Sequence, residues 1–260
     1  MKIPRQVVGK VGRCIYCDGT ERPLHTEHIV PLGLNGPWEL LEATCKNCAK
    51  VTSAFEKVVL RHSLIVPRAT LNLPTRRKQE RPKQFPLVIT RDGKSETVQV
   101  PVGQYFAVMI LPIEEMPAHL TGKHYEKGVV VKGVIGVQVS GPPVEEIAQR
   151  LSTKEISVTA TWHGNAFERM LAKIGLGFAV AQYGIDNLEQ IYVRPCILGQ
   201  KDDVGRWVGT ADDLQLDVGK FLHHIHLSIV NSDLIARIKL FALFNVPEYL
   251  VVVGRLRKIN

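Results

Sequence analysis

The chain has 260 residues, 45% of them hydrophobic, which is enough to bury at least one sizeable core. It has no apolar run near the ~18 residues of a membrane-spanning helix, and residues 1–5 lack the apolar region of a secretory signal. These features favour a cytoplasmic protein with no membrane partner. The formal net charge is +8, and residues 1–84 carry all of it, with 15 Lys and Arg against 7 Asp and Glu.

Two Cys-x-x-Cys pairs lie near the start of the chain, Cys14 with Cys17 and Cys45 with Cys48, while Cys196 stands apart. Because cytosolic thiols stay reduced, such pairs indicate a metal site rather than disulfides. Four thiolates on two tight turns suit a tetrahedral structural Zn²⁺ with Zn–S bonds of about 2.3 Å. Four unrelated buried thiols are the alternative. A four-thiolate site leaves no open coordination position, so any catalysis must lie elsewhere.

Between the pairs, Glu27 and His28 place a carboxylate beside an imidazole, ahead of a hydrophobic segment and a glycine-bearing loop. Neighbouring strand residues point to opposite faces, so both can hold one ion only where the backbone bends or a backbone contact intervenes. His25 lies two residues before Glu27 and could share its face; the alternative is a solvated turn histidine. Histidine titrates near neutral pH, which suits a general base.

A helix is predicted over about residues 46–64, because apolar side chains recur there at helical spacing. One face of this helix carries Ala49, Thr52 or Ser53, and Glu56. That face should look toward Glu27 and His28, where Glu56 could supply a second carboxylate. The alternative for Glu56 is a solvated acid that favours the helix dipole or pairs with a neighbouring lysine.

A polar, proline-punctuated segment follows over about residues 71–86 and is predicted to be an extended basic linker. Its positive side chains are Arg76, Arg77, Lys78, Arg81 and Lys83. Because no aromatic residue separates them, phosphate contacts are expected rather than base stacking. The alternative is a solvated linker that keeps two domains apart.

The remaining residues carry no net charge, with 18 Lys and Arg against 18 Asp and Glu. The patterns predict a hairpin about Asp92-Gly93, strands over 128–140, helices over 143–151 and 165–183, and a meander over 224–230, 234–244 and 249–256. The longer helix is interpreted as core packing. The histidines at 223, 224 and 226 lack a nearby carboxylate or thiol and are interpreted as exposed, and Cys196 as a buried small side chain.

The order Cys-x-x-Cys, Glu-His-Ile-x-Pro, Cys-x-x-Cys, helix resembles the HNH (ββα-metal, His-Cys) endonucleases with two zinc-binding cysteine pairs, of bacterial or phage type. The resemblance covers roughly residues 13–60. It implies that His28 is the general base that activates water, and that Glu27 ligates a divalent ion, Mg²⁺ or Mn²⁺, which holds the scissile phosphate. Glu56 is a candidate further ligand. The pattern departs at Ala49, where the family usually has Asn or His, and the Asn that orients the base has no clear match.

The sequence therefore predicts an α+β fold in three parts. These are a small zinc-stapled ββα-metal HNH module at residues 1–70, a basic linker at 71–86, and a mixed α/β or β-rich domain of unknown role at 87–260. The predicted function is metal-dependent hydrolysis of phosphodiester bonds in DNA. The alternatives are a catalytically inactive zinc module that binds nucleic acid, and a zinc scaffold for protein interaction beside a functional second domain. A homodimer is left open.

Overall fold

Four β-sheets and one long buried helix organise the chain in a computed structural model, which describes residues 4–125, 127–158, 161–212 and 220–257. Within these ranges the protein is mixed α+β, with thirteen strands and seven α-helices. No helix in the described ranges is both long and apolar enough to cross a membrane.

The first sheet contains the residues between the two cysteine pairs. Its strands are β1 (Gln6–Lys10), β2 (Leu24–His28) and β3 (Trp38–Cys45), in the order β1-β3-β2. Strand β2 pairs antiparallel with β3, and β1 pairs parallel with it. Helix α1 (Lys46–Arg61) begins directly after β3 and buries Phe55 and Val59, so the predicted helix is confirmed and ends slightly earlier. The short helix α2 (Ile65–Thr70) follows.

The predicted hairpin is confirmed as β4 (Gln84–Arg91) and β5 (Lys94–Pro101), with Arg91 opposite Lys94. Asp92 and Gly93 both have positive φ, as a two-residue hairpin turn of the primed type requires. Strand β4 begins inside the segment predicted as a linker, and residues Lys78–Glu80 of that segment form a 3-10 turn. The elements that follow are β6 (Ala107–Glu114), α3 (Ala118–Thr121), β7 (Val131–Ser140), α4 (Val144–Arg150) and β8 (Glu155–Ser157).

The C-terminal sheet confirms the predicted meander. The remaining elements are α5 (Ala166–Tyr183), β9 (Leu188–Ile191), α6 (Arg194–Ile197), α7 (Val204–Trp207), β10 (Val208–Thr210), β11 (His223–Val230), β12 (Asp233–Leu240) and β13 (Tyr249–Leu256). Strands β11, β12 and β13 pair antiparallel in sequence order, and β10 and β9 also pair with β13.

Helix α5 lies between the C-terminal sheet and the first module. Two glycines allow the close approach: a Cβ added at Gly175 would lie 3.2 Å from that of Ala236, and one at Gly177 would lie 3.4 Å from the Ile29 side chain. Ile29 directly follows β2, so its contact with Gly177 joins the cysteine-bearing part of the chain to α5. One hydrophobic core contains residues from both sides of the segment predicted as a linker. Side chains of α5 can therefore reach the residues between the cysteine pairs.

The first turns of α5 also bury a pair of carboxyl groups. Glu168 and Glu114 of β6 are 3% and 1% exposed, and neither Glu114 oxygen has a hydrogen-bond partner among the described residues. Burial raises the pKa of Glu114 well above its usual value, and the nearby Glu168 carboxylate raises it further. Glu114 therefore holds a proton in the folded protein at pH values where the unfolded chain has released it.

We expect Glu114→Gln to make the protein less sensitive to alkaline pH. A raised folded-state pKa contributes stability that is complete below the unfolded value near 4.3 and is lost as pH rises toward the folded value, by about 1.4 kcal/mol per pH unit. Gln resembles the protonated carboxyl group and does not titrate. The free energy of unfolding of the variant, relative to that of the wild type, should therefore increase between pH 5 and pH 8. Urea unfolding at both pH values measures this, with Glu115→Gln as control, since the Glu115 side chain is partly exposed and pairs with Lys123. Parallel pH profiles for all three proteins would contradict it.

Candidate functional site

The four cysteines of the two pairs are placed to hold one metal ion. Their sulfur atoms lie within 4.8 Å of one another, and the Sγ atoms of Cys17 and Cys45 are 3.8 Å apart. A tetrahedron with Zn–S bonds of about 2.3 Å has edges of ~3.8 Å, so the donor set fits zinc. Cys14 and Cys48 are buried and Cys17 is exposed, so the cluster lies at the protein surface. The predicted metal cluster is confirmed.

The start of α1 and an arginine of α6 both support this cluster. Cys45 caps α1, and its sulfur accepts a hydrogen bond from the Cys48 backbone N–H at 3.5 Å. A helix N-terminus favours a thiolate there. Arg194 of α6 reaches the turn between the first two cysteines, donating to the Ile15 carbonyl and to Asp18 Oδ1, each at 2.8 Å. The geometry of the first cysteine turn therefore depends on a residue far along the chain.

A buried lysine of α5 joins the two carboxylates that were predicted as metal ligands. Lys173 Nζ lies 2.6 Å from Glu27 Oε1 and 2.9 Å from Glu56 Oε1. The side chains of Lys173 and Glu27 are 1% and 8% exposed, and that of Glu56 is 20% exposed. The structure thus brings Glu27 and Glu56 together, as the helix periodicity predicted, with an ammonium group between them.

The same ammonium holds the end of strand β2. Lys173 Nζ donates to the backbone carbonyl of His28 and lies 3.3 Å from that of Ile29. Burial lowers the pKa of Lys173, but the charges of Glu27 and Glu56 outweigh it, so the net shift is upward and the lysine stays charged. Burial raises the pKa of Glu27, and Lys173 opposes this shift. The ammonium and the carboxylates therefore stabilise each other's charged forms.

His28 faces a third carboxylate, which the sequence analysis did not single out. Residues His28 and Glu39 lie opposite each other on β2 and β3, and His28 Nδ1 is 3.4 Å from Glu39 Oε1. At this distance the two atoms are close neighbours without a hydrogen bond between them. Burial lowers the pKa of His28, and Glu39 opposes the shift. The net shift of the His28 pKa is downward, which favours the neutral imidazole, and its Nδ1 faces Glu39.

Glu27, His28, Glu56 and Lys173 line a groove of about 540 Å³. Its lining also includes six basic residues and one further acid: Lys57, Arg61, Arg68, Arg76, Arg77, Arg81 and Glu80. Three of the five predicted nucleic-acid contacts therefore line this groove, and Lys78 and Lys83 do not. Two of the three have partners within the protein, because Arg77 pairs with Glu80 at 2.7 Å and Arg81 donates to Asn72 and Leu73. Arg76 is exposed and has no ion pair among the described residues.

The other residues singled out in the sequence either line the groove or are buried. His25, Ala49, Thr52 and Ser53 line the groove, but the Thr52 hydroxyl donates to the Ala49 carbonyl at 3.3 Å within its own helix. Cys196 is buried, as expected. His223 was predicted to be exposed and is instead buried, donating from Nε2 to the Leu34 carbonyl at 2.7 Å. Burial lowers its pKa to about 4, so its role is to hold the loop after β2 against β11.

Comparisons with known proteins returned no match among protein families, curated proteins or solved structures. The interpretation as an HNH endonuclease therefore depends on the resemblance of residues 13–60 to that family and on the geometry of the groove.

Proposed function

We propose that the protein is a nuclease that hydrolyses phosphodiester bonds of DNA in the groove above His28. One observation carries the proposal: the His28 imidazole, with Glu39 beside its Nδ1, lines a groove that basic side chains also line. Burial lowers the pKa of His28 and so favours the neutral form that a general base needs, and the basic side chains attract a phosphate backbone. The four cysteines would hold a structural Zn²⁺ that stabilises the strands and helix carrying these residues.

In this mechanism the arginines and His28 act on one phosphate. Arg76 and Arg77 bind its non-bridging oxygens, and a water molecule lies between the phosphorus and His28 Nε2. His28 accepts a proton from this water while the water oxygen forms a bond to phosphorus. The bond from phosphorus to the leaving sugar oxygen breaks, and that oxygen takes a proton from solvent. Glu39 stabilises the imidazolium that forms, and such a positioned base contributes about 10²–10⁴ in rate.

The resemblance also implies a catalytic Mg²⁺ or Mn²⁺ held by Glu27, and the helix periodicity made Glu56 the candidate for a second carboxylate ligand. Mg²⁺ requires six ligands at about 2.0–2.1 Å in near-octahedral geometry. With the Lys173 ammonium between the two carboxylates, they do not fit such an ion. The mechanism above therefore uses only side chains of the chain itself.

We expect His28→Ala to reduce cleavage by about 10²–10⁴-fold, the contribution of a positioned general base. The assay is conversion of supercoiled plasmid and of single-stranded DNA, each with and without Mg²⁺ or Mn²⁺. His25→Ala is the matched control, because His25 lies on the same strand and lines the same groove. All proteins are compared at equal zinc content, so that lost activity does not reflect lost folding. Equal cleavage by both variants would exclude His28 as the base.

A second candidate function is binding of nucleic acid without cleavage. It is favoured by Ala49, which offers no ligand atom, and by the pairing of Glu27 and Glu56 with Lys173. Absence of cleavage by the wild type under all conditions, with retained binding, would favour this candidate.

Both candidates predict that Arg76→Ala weakens binding to DNA of any sequence. Removal of one phosphate contact should make the slope of log affinity against log salt shallower by about 0.9 for duplex DNA. Lys83→Ala is the control, because Lys83 does not line the groove. Fluorescence anisotropy over a salt series measures both slopes. Identical slopes for the two variants would place the phosphate outside this groove.

A further inference from the structure

We infer that Lys173 is the permanent cation of the Glu27–Glu56 pair and stands in the position of a divalent ion, so that the protein works without a metal at this centre. The inference rests on the proposed function only for the reaction in which this centre takes part. It is carried by the acceptors around the ammonium, by the ligands that are missing, and by the packing of α5.

The acceptors around Lys173 use all of its hydrogen-bonding capacity. An ammonium group has three donors. Glu27 Oε1, Glu56 Oε1 and the carbonyls of His28 and Ile29 surround it as four acceptors. Carboxylate and carbonyl oxygens are also the ligands that a hard divalent ion would use. The cage is therefore a cation site that already contains its cation.

A competing divalent ion would find few ligands in this groove. Among the described residues, the four cysteines are the one group of three or more His, Cys, Asp or Glu side chains whose ligand atoms cluster closely enough for an ion. Ala49, on the helix face that bears Glu56, contributes no side-chain ligand, and the Thr52 hydroxyl donates to its own helix. The two carboxylates nearest each other in the groove, Glu27 and Glu56, are already paired with Lys173.

Packing of α5 keeps the lysine in this place. On one face of the helix Gly175 lies against Val251 and Ala236, and on another Gly177 lies against Ile29. The Lys173 side chain borders the groove but is only 1% exposed, so packing of α5 keeps the ammonium within its ring of oxygen atoms.

The lysine also has a positioning role that an exchangeable ion would not share. Its hydrogen bond to the His28 carbonyl fixes the backbone of the residue proposed as general base. A covalently attached cation links that backbone to the C-terminal part of the chain whether or not metal is present. We therefore expect wild-type cleavage to be the same with and without added Mg²⁺ or Mn²⁺.

The test is Mn²⁺ binding to the full-length, zinc-loaded protein, followed by the electron paramagnetic resonance signal of free Mn²⁺. Zinc content is measured before and after titration. Wild type and Glu56→Gln should bind the same amount of Mn²⁺, because neither has an ion at this centre. Lys173→Ala frees both carboxylates and should bind one additional ion per chain. Glu42→Gln, which alters a partly exposed carboxylate paired with Lys10 and Arg22, controls for surface binding. The wild-type measurement stands even if the lysine variant does not fold.

The outcomes separate this inference from the proposed function. One Mn²⁺ bound by wild type and lost in Glu56→Gln overturns the inference, whether or not the protein cleaves DNA. No such ion, together with cleavage in metal-free buffer that depends on His28, supports both. No such ion and no cleavage under any condition supports the inference and removes the nuclease proposal.

Discussion

Cys48→Ser is expected to lose the bound metal and to unfold the strands and helix around it. Structural zinc in small modules contributes an apparent binding free energy of roughly 10–16 kcal/mol, as large as the ~5–15 kcal/mol that stabilises a whole domain. Serine does not supply a thiolate, although its backbone N–H can still donate to the Cys45 sulfur at the start of α1. Zinc content by mass spectrometry and thermal unfolding by circular dichroism measure the two effects.

Cys196→Ser is the matched control for this variant. Cys196 is buried like Cys48, but its thiol donates to the Val193 carbonyl at 3.1 Å and lies outside the metal cluster. A serine hydroxyl can make the same hydrogen bond, so this variant should keep its zinc and most of its stability. A Cys48→Ser protein that bound one zinc per chain and melted with the control would contradict the four-thiolate site.

Sequence reasoning succeeded where the cause lies in neighbouring residues. The two cysteine pairs, the Asp92-Gly93 turn and the C-terminal meander each depend on a few adjacent side chains or on a short alternating pattern. The approach of Glu56 to Glu27 was also predictable, because a 3.6-residue period fixes which face of α1 each side chain occupies. These features needed no knowledge of how distant parts of the chain pack.

The contacts of His28 required strand register, which the sequence analysis did not assign. Glu39 reaches His28 because β2 pairs with β3 so that the two residues are opposite each other. The available signal was a carboxylate next to the apolar residues Trp38, Leu40 and Leu41. A buried acid normally has a partner, so Glu39 could have been singled out as a candidate second residue of the site.

The contact of Lys173 with Glu27 could not be predicted from the sequence for a different reason. It lies 145 residues after His28, and only the packing of α5 between the two parts of the chain brings it to Glu27. One signal was present: a lysine within a helix that is otherwise apolar on most faces. A charge in such a position requires a buried counter-charge, but the sequence does not say which of the 25 acids supplies it.

Lys173→Met should destabilise the protein by about 3–5 kcal/mol, the usual result of removing one partner of a buried ion pair. Methionine keeps the length and the apolar contacts of the side chain, so the loss reports mainly on the charges left in Glu27 and Glu56. Without the ammonium, burial raises the pKa of Glu27 further. A raised folded-state pKa favours the folded protein at low pH, so the deficit relative to wild type should shrink as pH falls from 8 to 5. Urea unfolding at both pH values measures it.

The double variant Glu27→Gln/Lys173→Met separates charge from packing. It removes both members of the closest pair, and a neutral amide carries a much smaller burial penalty than an unpaired carboxylate. We expect it to recover most of the stability lost in the single variant, giving a coupling energy well above the ~0.5 kcal/mol of independent sites. Lys57→Met, which changes an exposed lysine of the same groove, should have little effect. Additive losses in the double variant would mean that Lys173 stabilises the fold through its apolar stem, and that its charge is not what holds Glu27 and β2 in place.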